Sequence, residues 1–78
     1  MSYTKTPLEA YIVDIVKEKR KERNLKQEDL AKFLGVSVGY IGQIESKKLK
    51  SMYSHQQLNE LAKYLKCSPK DFMPDEAI

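Results

Sequence analysis

Residues 27–46, QEDLAKFLGVSVGYIGQIES, constrain this chain more than any other stretch. Leu30 and Leu34 are four apart and Ile41 and Ile44 three apart, so each pair lies on one face of a helix. The pattern is interrupted only at Gly35-Val36-Ser37. Gly35 suits a left-handed turn and Ser37 suits a helix N-cap. The spacing therefore predicts two short helices joined by a tight turn. Ala31 is small enough to let them cross closely.

The flanking segments read as helices that hold this pair. Thr6-Pro7 with Glu9 predicts a capped helix start. Leu8, Ile12, Ile15, Val16 and Lys19 then form its inward stripe, with Tyr11 and Val13 beside or off it. That helix ends near Arg23-Asn24, and Leu25 packs inward as the chain turns. Leu30, Ala31, Phe33 and Leu34 supply the buried face of the second helix, whose cap is poor because Lys26 lacks an acceptor. The third helix runs from about 38 to 46, capped by Ser37. It carries Gly39 and Gly42, each costing about 1 kcal/mol against alanine in a helix interior. Residues 47–53, KKLKSMY, form a basic loop anchored by Leu49 and by Met52 or Tyr53. Ser54 and Gln57 have capping-box spacing before a fourth helix that ends near Lys66-Cys67. Ser68-Pro69-Lys70-Asp71 starts a short fifth helix holding Phe72.

No strand-like alternation or internal repeat appears, so the expected fold is all-α, a compact bundle of about five helices. The expected organisation is a mobile arm over 1–6, the helical domain over 7–74 and a short acidic tail over 75–78. At 78 residues the chain holds one modest core. Its formal net charge is +3, with residues 17–26 carrying six basic and two acidic side chains. This balance permits a nucleic-acid partner without requiring one. The single Cys67 cannot form an internal disulfide and suits a reducing cytoplasm. No apolar run approaches a membrane span of about 20 residues. One His and one Cys assemble no catalytic set, and no metal-ligand spacing or phosphate-cradling glycine loop is present. The expectation is no enzyme, cofactor, metal or small-molecule ligand.

Gln27, Leu30-Ala31, Leu34-Gly35-Val36-Ser37, Ile41, Ile44 and Glu45 resemble the helix-turn-helix of the Cro and phage-repressor (Xre-type) family. The resemblance extends over about residues 15–73 and implies a lambda-repressor-like DNA-binding domain. In that family the third helix enters the major groove. Carried over by position, Val38, Gly39, Tyr40 and Gln43 become candidates for base contact. The Gln43 amide suits N6 and N7 of adenine, Val38 a thymine methyl, and Tyr40 a phosphate or sugar edge. Gly39 departs from the polar residue often found there. Gln27, Ser37, Lys47, Lys48 and Lys50 become candidates for phosphate contact, which positions without specifying. Ser46-Lys47-Lys48 replaces the family's usual turn. Glu45 reads better as a structural anchor than as a contact to anionic DNA.

The resemblance implies a sequence-specific transcriptional regulator bound to double-stranded DNA, as a homodimer on an inverted repeat. The expected dimer surface lies around Tyr64, Phe72 and Met73, joined by the N-terminal arm. The alternative is a protein-interaction module that keeps the fold without base readout, a reading Gly39 and Gly42 favour.

Overall fold

In the computed structural model, which describes residues 4–78, every helix but the second begins at a residue whose side chain caps it. α1 spans Pro7–Glu22. The Thr6 hydroxyl accepts from the Glu9 amide at 3.1 Å, and Glu9 accepts from the Thr6 amide at 2.9 Å. The helix ends at Arg23, and Asn24 takes φ 57°, a left-handed conformation that asparagine tolerates. α2 spans Gln27–Leu34 without a side-chain cap from Lys26. Asp29 instead accepts the Lys26 amide at 2.7 Å. Gly35 closes α2 at φ 72°. Open space surrounds its missing Cβ, so backbone conformation and not crowding calls for glycine here.

α3 spans Val38–Glu45, with the Ser37 hydroxyl accepting from the Tyr40 amide at 3.1 Å. α4 spans His55–Tyr64 behind the Ser54–Gln57 capping box. It ends earlier than the sequence pattern suggests, because Lys66 turns left-handed at φ 55° and the Cys67 amide reaches back to the Ala62 carbonyl at 2.9 Å. The fifth element is a 3₁₀ helix, Pro69–Phe72. All regular elements among the described residues are helical.

α2 packs on α3, α1 packs on α3 and the 3₁₀ helix, and α4 closes against α2 and the 3₁₀ helix. The centre is filled by Val16, Leu30, Ile41, Ile44, Leu61 and Phe72. Burial of such side chains stabilises by about 1.5–3 kcal/mol each. Four expectations about packing change. Val13 is core, because α1 is covered on two sides and its buried arc is wider than one stripe. Phe33 is 40% exposed and stacks on Tyr64, ring centroids 4.2 Å apart, so it covers α4 from outside. Leu49 is exposed, and Tyr53 anchors the loop instead. Phe72 is 1% exposed, so it belongs to the core and is not free to form a dimer face.

Of the expected arm, residues 1–3 lie outside the described residues. Lys5 is buried, with 8% exposure. No helix among the described residues is long and apolar enough to cross a membrane.

Candidate nucleic-acid interface

α3 is held from beneath by Ile41 and Ile44, both fully buried. This fixes the opposite face. Val38 is 50% exposed, and Gly39 and Gln43 are exposed beside it. Tyr40 is only half accessible, and its hydroxyl donates to the Met52 carbonyl at 3.3 Å. That bond ties α3 to the following loop and directs the hydroxyl inward. The structure thus brings Val38, Gly39 and Gln43 together as an open surface, while Tyr40 offers mainly its ring.

The glycines in α3 are not demanded by packing. A Cβ on Gly39 would lie 3.9 Å from Ser37 Oγ, and one on Gly42 3.8 Å from Gln27 Oε1. Both are ordinary contacts. The fold therefore carries a helix-propensity cost at these positions that its own interior does not require.

The phosphate candidates flank this surface at both ends of α3. Ser37 is exposed at its N-terminus although its hydroxyl serves the cap. Lys47, Lys48 and Lys50 are exposed in the turn beyond its C-terminus. Lys47 pairs with Asp14 of α1 at 3.1 Å. Both side chains are well solvated, so the pair is worth at most about 1 kcal/mol and is readily exchanged for another anion. Gln27 is half-buried, and its amide donates to Glu45 Oε1 at 2.9 Å.

Beneath the surface lies one of the six basic residues of 17–26. Arg20 is buried and bidentate to Glu45, with Nε–Oε2 at 2.9 Å and Nη2–Oε1 at 3.0 Å. Its Nη1 also donates to the Leu25 carbonyl at 2.8 Å. Glu45 is thus a structural anchor, joining α1, the approach to α2 and the end of α3. Arg20 lies four residues after Val16, on the continuation of the buried stripe. That spacing was the available signal.

Tyr53, beside this pair, and Cys67, after α4, are shifted by their surroundings. The Tyr53 hydroxyl is buried without a hydrogen-bond partner among the described residues. Burial, reinforced by the Glu45 carboxylate, pushes its ionisation far above the usual tyrosine range, with Arg20 opposing. Burial also raises the Cys67 thiol, which keeps it protonated and little suited to nucleophilic work.

The family model for the helix-turn-helix matches residues 16–72. Among solved structures, the restriction-modification controller protein C.AhdI from Aeromonas hydrophila is similar to this chain at 25% identity and a TM-score of 0.69. The match covers 83% of this chain and 96% of that one. No curated protein matches in sequence.

Proposed function

Since the chain belongs to the helix-turn-helix family, we propose that it is a sequence-specific transcriptional regulator that lays α3 in the major groove of double-stranded DNA. The observation that carries this reading is the open face of Val38, Gly39 and Gln43, backed by buried Ile41 and Ile44 and followed by Lys47, Lys48 and Lys50. A helix so fixed presents side chains to base edges while Ser37 at one end and the lysines beyond the other meet the backbone. Gln43 reads adenine, and Val38 touches a thymine methyl. Gln27, Ser37 and the three lysines hold phosphates, Gln27 with its remaining hydrogen-bonding capacity. The likeness to a restriction-modification controller protein supports a regulatory role.

One eight-residue helix covers little DNA, so the reading includes a homodimer on an inverted repeat. With Phe72 buried, its face lies around half-buried Tyr64 and around Met73, which is 46% exposed and adjoins apolar Leu8 and Leu58. Sedimentation at high micromolar concentration distinguishes dimer from monomer.

Selection of bound duplexes from a random pool tests the whole reading. A recovered palindrome with a steep loss of affinity in salt, about −0.9 in log–log slope per phosphate contact, is the expected result. No retention of any duplex at low salt sinks the reading and leaves the protein-interaction alternative.

A further inference from the structure

The N-terminal segment makes a long-range contact that the interface described above does not use. Lys5 Nζ donates to the Ser46 carbonyl and to the Leu49 carbonyl, both at 2.7 Å. These acceptors lie 41 and 44 residues away in sequence. They are the two ends of the turn that leaves α3: Ser46 is the C-cap, and the Leu49 amide points back to the Ser46 carbonyl at a long 3.5 Å. That backbone bond is weak, and the Lys48 amide adds only a 3.3 Å bond to the Ser46 hydroxyl, so the shortest bonds holding the turn are those of the ammonium to the carbonyls at its two ends. α3 has no basic side chain in its own last turn. Lys5 supplies from elsewhere in the chain the cation that the negative end of the helix favours.

We infer that Lys5 is a positioning residue for DNA binding, a strap that fixes the turn carrying Lys47, Lys48 and Lys50 without itself touching the duplex. The inference rests on the proposed DNA reading for its consequence but not for its geometry. Lys5 is buried, so its charge is spent within the fold. Burial lowers its amine below the ordinary lysine range, opposed by Glu9, while the two carbonyl acceptors favour the charged ammonium. The three lysines it organises are exposed and lie within or next to the strapped turn.

The full chain and its Lys5→Met variant test this. Methionine keeps an apolar stem and removes the donor. The geometry is read first, without DNA. In the wild type the Lys5 ammonium protons should exchange slowly and show NMR contacts to Ser46 and Leu49. In K5M the amides of residues 47–49 should exchange faster while those of α2 and α3 hold. Affinity for a random-sequence duplex at low salt should then fall about tenfold, with a salt slope shallower by one to two contacts. In a background of Lys47→Ala, Lys48→Ala and Lys50→Ala, K5M should cost no further affinity, because it acts through those side chains.

An equal loss in that background overturns the inference, since Lys5 would then act on DNA directly. Rapid ammonium exchange without the two contacts in the wild type also overturns it, and needs no variant to fold. If the strap is observed but the wild type retains no duplex, it is the DNA reading that fails.

Discussion

Arg20 and Glu45 face each other through two hydrogen bonds of 2.9 and 3.0 Å, at side-chain exposures of 8% and 4%. A buried pair of this kind contributes little net stability against an apolar replacement, but losing one partner strands a charge. Glu45→Ala should cost about 3 kcal/mol in urea denaturation. The double change Arg20→Met with Glu45→Leu should recover most of that loss. A single-variant cost under about 1 kcal/mol would show the pair to be solvated in solution.

Tyr53 buries a hydroxyl that finds no partner among the described residues. Tyr53→Phe should therefore leave stability unchanged or raise it by about 1 kcal/mol at neutral pH. The pH dependence has a definite sign. The folded-state ionisation is raised, so the contribution is fully present below the unfolded tyrosine value of about 10 and is lost as pH rises towards the folded value. Thermal melts above that point should fall more steeply for the wild type than for Y53F. Parallel curves would count against it.

Gly39 lies exposed on α3 with room for a methyl group. Gly39→Ala should stabilise the fold by about 0.5–1 kcal/mol. If glycine is there so that the α3 backbone approaches DNA closely, the same change should weaken duplex binding several-fold. Stability and affinity rising together would leave the glycine unexplained by contact.

Gln43 and Lys48 should separate specificity from affinity. Gln43→Ala should cost about 1–3 kcal/mol on the preferred site and little on others, relaxing selection at one base pair. Lys48→Ala should weaken all duplexes alike and reduce the salt slope by about 0.9. Competition binding across a small set of sites reads both, and interchanged phenotypes would reverse the two assignments.

The buried half of the helix-turn-helix was legible because its signals are local. Leu30, Ala31, Ile41 and Ile44 follow helical spacing, and Gly35, Ser37 and Ser54 act within three residues of themselves. Residues whose partners are distant in sequence were not legible. Phe33 reads as core by its position, yet it lies over Tyr64, thirty-one residues further on, and keeps one face in solvent. Phe72 stands at the expected dimer surface, yet α1 and α4 both close over its helix. Lys5 carries no periodic signal at all, and its acceptors are backbone carbonyls, which no side-chain pattern discloses. In the candidate interface, exposure of Val38, Gly39 and Gln43 followed from the helix face. The inward hydroxyl of Tyr40 depended on where the Met52 carbonyl came to rest.

Arg20 also has a consequence for the energetics of recognition. One side chain bonds the carbonyl of Leu25 just before α2 and the carboxylate of Glu45 at the end of α3, closing the two-helix unit at both ends. The unit then has little freedom left to surrender when it meets a duplex. Association at this part of the surface should proceed as rigid docking, with a heat-capacity change set by the surface covered and no added contribution from folding.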